Sequence, residues 1–138
     1  ACDALGLEIP EEYVREGVYH DPDRCAELTQ ELLKLEVPPT CILMPDDISS
    51  IGGGNAIRRM GLRLPGDVSA AGYDGIQLSS VMNPPLTTYR QDTQALGKTA
   101  AAKLIELIEK PRTALVDRIL IPGRLVEGAS VQAIEPQE

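Results

Sequence analysis

The chain contains no phenylalanine, no tryptophan and a single histidine, and four tyrosines are its whole aromatic content. A core made from such a sequence has to be aliphatic, which suits buried parallel strands and the helices that cover them. Positive charge is also scarce. Thirteen Lys and Arg stand against 21 Asp and Glu, for a net charge of −8 and a pI near 4.6. Nucleic acid is held by clustered Lys and Arg that neutralise phosphates, so this chain by itself is not expected to bind DNA. No apolar run reaches the length of a membrane span, and no signal peptide is visible. The three cysteines, Cys2, Cys25 and Cys41, share no metal-ligand spacing, so neither a metal nor a cofactor is expected. Cys25 and Cys41 sit in apolar patterns and read as small core residues, with a reducing cytoplasm as the expected compartment.

What is present is enough for one domain: 138 residues, 43% of them hydrophobic. The chain opens on "ACDALGLEIP" with no Met, and this stretch reads as the tail of a helix ending at Gly6. The expectation is a fragment of something longer.

Strand-like and helix-like patterns then alternate. "YVREGVY" (13–19) reads as a strand and "DPDRCAELTQELLKLE" (21–36) as a helix, with Asp21 as N-cap and Pro22 in the first helical position. Cys25, Leu28, Leu32 and Leu35 share one helical face. "TCILM" (40–44) is a second short strand, after which Asp47 can cap a helix over 48–60 that closes at Gly61. "VSAAGY" (68–73) is small and apolar throughout, as a strand buried on both faces would be. "NPPLTTYRQD" (83–92) turns and becomes extended, and the longest helix follows over 93–110, with Leu96, Ala100, Leu104 and Leu107 as its expected buried face. One or two last strands are expected in 118–131. The alternation predicts an α/β fold, a parallel sheet flanked by helices.

Several motifs invite chemistry. "IGGGN" (51–55) resembles a phosphate loop only superficially: no Gly-Lys-Ser/Thr follows it, and Ile57 occupies the place of the last glycine of a dinucleotide fingerprint. Helical glycines cost about 1 kcal/mol each against alanine, so the expected gain is close backbone packing against a neighbour. His20 has no Cys or Ser nucleophile near it in sequence and reads as a loop residue, or as a polar group of a ligand pocket. Asp46 and Asp74 could serve a hydrolase as acid and base, but nothing supplies the rest of such a machine. The grouping is more informative. Tyr19, His20, Asp46, Asp74 and the "TTYRQ" segment all follow predicted strands, and open parallel sheets bind ligands outside the carboxyl ends of their strands. Asp74 would there accept hydrogen bonds from hydroxyls, with Gly72 and Gly75 leaving room around it. Its alternative role is a cap for the segment starting at Ile76.

The long stretches "PPTCILMPDDISSIGGGNAIRRMGLRLPGDVSAAGYDGI" and "NPPLTTYRQDTQALGKTAAAKLIELI" resemble the lactose-repressor (LacI/GalR) family of bacterial transcription regulators. The resemblance implies the C-terminal lobe of a periplasmic-binding-protein-like effector domain, with residues 1–138 forming a partial effector-binding and dimerisation unit. It implies a sugar-like or nucleoside-like effector, no enzymatic activity, and operator DNA bound only through an N-terminal helix-turn-helix module absent from this chain. Carried over by position, Asp74 matches the family carboxylate that accepts effector hydroxyls, Asp46 stands where the family has a pocket Asn, and Tyr19 falls where an aromatic stacks on a sugar face. Gln91 falls at the pocket edge, and the helix around Ile51 and Gly52 resembles the one used in family homodimers. A secreted sugar-binding transport receptor of the same fold is the alternative reading.

Overall fold

The computed structural model describes residues 3–111, 113 and 118–133; Cys2 lies outside them. Helix α1 (Pro22–Leu33) starts as expected, with the Asp21 carboxylate accepting from the amide of Arg24 at 2.9 Å. It ends at Leu33, short of the expected Glu36, and buries Cys25, Leu28, Thr29, Leu32 and Leu33. Strand β1 (Cys41–Leu43) follows, then α2 (Asp47–Arg59), β2 (Ser69–Asp74), β3 (Thr87–Arg90), α3 (Thr93–Glu109) and β4 (Arg124–Val126).

The strands lie in the order β1-β2-β3-β4. The first three are parallel, with Ile42 opposite Ala70 and Tyr73 opposite Tyr89, and β4 adds antiparallel to β3. Ser130 ties the start of the β2–β3 pair: its hydroxyl donates to the Ala70 carbonyl at 2.7 Å and accepts from the Thr87 amide at 2.8 Å.

The core lies between one face of the sheet and the pair α1–α2. Cys25, Leu32, Leu33, Ile42, Met44, Ile57, Val68 and Ala70 form it, with no aromatic ring among them. The helices touch closely because Gly52 has no side chain: a Cβ there would collide with the backbone of Pro22. The glycine run of α2 thus serves packing inside this chain, Gly52 against α1 and Gly53 against Met44.

Where expectations fail, a neighbour is lacking. Residues 14–18 pair with no strand among the described residues, although Val14 is extended (φ −93°, ψ 130°). A 3-10 turn (Glu11–Tyr13) precedes them, and the Tyr13 hydroxyl ties them to the Val37 carbonyl at 2.8 Å. A residue pattern that predicts a strand does not supply the partner that a strand needs. Of the stretch 118–131, Arg124–Val126 forms one last strand, as expected. Helix α3 forms as predicted and buries no residue at all, with Leu104 59% and Ile108 69% exposed. The sheet face opposite α1 and α2 is open too. Tyr73 and Tyr89 stack on it at 5.7 Å, and Cys41, expected in the core, is exposed at the edge strand.

Candidate functional site

Asp74 ends β2 in a backbone conformation unusual for anything but glycine, φ 103°, and Gly75 follows at φ 66°. Two residues in the left-handed region swing the chain away from the sheet and leave the Asp74 carboxylate at the carboxyl end of the parallel strands. Gln91, just past β3, donates its Nε2 to Oδ1 at 2.6 Å, and the Tyr19 hydroxyl donates to Oδ2. Asp74, Tyr19 and Gln91 are therefore brought together, from three separate stretches of sequence. Asp74 caps nothing: the Ile76 amide is held instead by Asp47 Oδ2 at 2.9 Å. Each carboxylate oxygen has a second lone pair, so the group can still accept from a ligand.

Tyr19 is half exposed and its ring stacks on His20 at 4.3 Å. The hydrogen bond to the Asp74 carboxylate, then desolvation and the negative charges of Asp74 and Asp46, push its phenol up to about 12. The hydroxyl therefore remains a donor at any physiological pH. His20 itself sits at φ 59°, with Nε2 3.9 Å from Asp74 Oδ2.

Asp46 does not line the cleft. It is fully buried and is the N-cap of α2: Oδ1 accepts from the Ser49 amide at 2.8 Å, and Oδ2 accepts from the Ser49 hydroxyl at 2.6 Å and the His20 amide at 3.0 Å. Burial pushes its carboxyl up, but the bonds from Ser49 and His20 outweigh that and hold it below the usual carboxylate range. Asp46 thus reaches the site only through the backbone of His20, which it pins beside Tyr19.

The expected cap, Asp47, is in the first turn of α2 and does something the sequence did not signal. Its Oδ1 accepts from the Thr88 hydroxyl at 2.6 Å while Oδ2 holds the Ile76 amide, so one buried carboxylate ties α2 to β3 and to the loop behind Asp74. Those partners are 41 and 29 residues away, too far for any local pattern to reveal. Gly72 and Gly75 are also accounted for by packing. A Cβ at Gly72 would press on Asp47, Leu86 and Ser50, and one at Gly75 on Arg90.

Beside Gln91 lies a cavity of about 300 Å³ at the junction of β3, α3 and β4, lined in part by Arg90 and Arg124. Neither arginine was singled out from the sequence. Among the described residues, no group of three or more His, Cys, Asp or Glu is placed to hold a metal ion.

The chain thus has an α/β fold, a mostly parallel sheet flanked by helices, with a carboxylate at the strand ends. The family model described as periplasmic binding protein-like domain matches residues 1–131. The chain belongs to that family, as an effector-binding domain of the LacI/GalR type. Among similar proteins is the HTH-type transcriptional repressor PurR of Pasteurella multocida (strain Pm70), 36% identical over 110 residues, which are 80% of this chain and 33% of that one. The structure of a putative transcriptional regulator LacI from Bacillus cereus subsp. cytotoxis NVH 391-98 superposes with a TM-score of 0.89 at 26% identity, covering 96% of this chain and 46% of that one. A transcriptional regulator CelR–cellobiose complex superposes with a TM-score of 0.86 at 26% identity, covering 94% and 39%. The chain spans about a third of the length of the curated relatives it matches.

Proposed function

We propose that the chain is the effector-sensing lobe of a LacI-type transcription regulator, binding a sugar-like or nucleoside-like small molecule and modulating operator binding allosterically. One observation carries this reading: a carboxylate on a strained strand end, fixed by two neutral donors, at the edge where such sheets bind ligands. Asp74 accepts hydroxyl hydrogen bonds, Gln91 and Tyr19 hold it in place, and the half-exposed Tyr19 ring offers an aromatic face. Asp46 acts from behind, as the cap that fixes His20. That relatives of similar length of match are repressors, and that one is described as a cellobiose complex, supports the class of protein and of ligand.

The remaining roles follow from the same reading. The apolar stripe of α3 packs on a second lobe, and the effector lies between the two. The half-buried Ile51 belongs to a homodimer face on α2, whereas Gly52 is already occupied by Pro22. Operator DNA is bound through a separate helix-turn-helix module, in the cytoplasm, and the lobe performs no chemistry.

Calorimetric titration of the complete protein and of its Asp74→Asn variant with the effector tests the assignment. Charge-assisted hydrogen bonds are worth roughly 1.5–3 kcal/mol each, so affinity should fall about tenfold or more. Equal affinities would remove Asp74 from the site.

A further inference from the structure

The cavity next to Gln91 carries an assignment of its own. Arg90 ends β3 and Arg124 begins β4, and the antiparallel register sets them directly opposite one another. Like charges in that position repel. In a chain with a net charge of −8, acidic partners are plentiful, yet neither guanidinium forms an ion pair with any described residue. Arg90 is steadied by one bond, from Nε to the Gly75 carbonyl at 2.9 Å, and its other N–H groups remain available. Both side chains line the same cavity of about 300 Å³. Asp92 also lines it, but its Oδ1 is engaged in capping α3, accepting from the Ala95 amide at 2.9 Å.

The geometry points to an oxyanion site: Arg90 and Arg124 together take a phosphate or carboxylate group, next to Asp74, which pairs in register with Arg90 across β2 and β3. Two guanidinium forks match the planar, multidentate oxygens of such groups, and an anion between them converts a repulsive pair into a bridged one. The volume admits a small polyanion. Because Gln91 both lines this cavity and donates to Asp74, occupancy would bear on the strand end at the hydroxyl-binding site. The oxyanion can belong to a free small molecule or to a carboxylate side chain of another segment of the complete protein.

The test is a titration of the 138-residue chain with inorganic phosphate and with malonate at constant ionic strength, read by NMR at the Arg90 and Arg124 Nε–H and the amides of Gln91 and Gly123. Saturable shifts at these positions are expected with either anion, and not with chloride. Arg124→Gln, at an exposed position, should weaken binding about tenfold or more, and Arg90→Gln/Arg124→Gln should abolish it. Asp74→Asn should leave it unchanged or slightly tighter, which separates this site from the effector assignment. The same titration of the complete protein distinguishes the sources: retained binding marks a free small molecule, and loss of binding there alone marks an internal carboxylate. Absence of saturable shifts in the chain, or shifts that persist in the doubly substituted variant, would overturn the assignment.

Discussion

Helices α2 and α3 are both amphipathic by sequence, and the structure treats them oppositely. Helix α2 has 13 residues, three of them glycine, and buries eight. Helix α3 has 17, is richer in alanine and leucine, and buries none. Intrinsic propensity favours α3, since alanine and leucine are the better helix formers. Burial goes to α2 because it has partners: the backbone of Pro22 against Gly52, Met44 against Gly53, and two buried carboxylates at its first turn. An apolar stripe thus states that a helix needs a surface to cover, without stating which part of the protein provides it.

The contrast can be broken most severely at Gly52. Gly52→Val would drive a side chain into the Pro22 backbone and force α1 and α2 apart, so urea unfolding should show a loss of about 3 kcal/mol. A loss below about 1 kcal/mol would mean that the two helices are not in that contact.

A smaller effect is expected at the cap. Asp46→Ala removes the acceptor of the Ser49 amide, the Ser49 hydroxyl and the His20 amide, which should destabilise the fold by about 2 kcal/mol. The pH dependence has a definite sign. The folded carboxyl is held below its unfolded value, so its contribution is present above about pH 4 and is lost as pH falls through the folded value. Stability curves of the wild type and Asp46→Ala should therefore converge towards low pH. Parallel curves would show that the Asp46 carboxyl titrates alike in the folded and unfolded chain, so that its bonds do not favour the ionised form.

The least effect is expected on α3. Leu104→Gln and Ile108→Gln should each change the stability of this chain by about 0.5 kcal/mol or less, because neither side chain is buried. The same substitutions in the complete protein should cost more if a second lobe covers the stripe. A large loss in the chain alone would place α3 against something here.

The α/β class, the main helices and the strand ending in Asp74 were legible because each has a local cause: a cap, a proline, a period, a glycine stop. So was the grouping of Asp74 and Gln91 at strand ends, and Tyr19 joins them although the strand expected before it does not form. The assignment of Asp46 and Asp47 was not, since either carboxylate of an Asp-Asp pair can cap and only the fold decides which. Nor was Arg90 opposite Arg124, because the antiparallel return of β4 is a matter of register rather than composition. The unpaired stretch 14–18 shows the same limit from the other side: a strand is expected over 13–19 and none forms there, because a pattern does not supply a partner.

The hydrogen bond from Tyr19 to Asp74 has an optical consequence. With no tryptophan in the chain, tyrosine emission is not drained by energy transfer, and four phenols supply all of it. A phenol bound to a carboxylate is a weak emitter, so Tyr19 is dark while that bond is intact. Asp74→Asn removes the carboxylate and should brighten the phenol, whereas a ligand that uses the remaining lone pairs should leave its emission low. The chain carries, without any label, a lamp wired to one of the two contacts that hold its carboxylate.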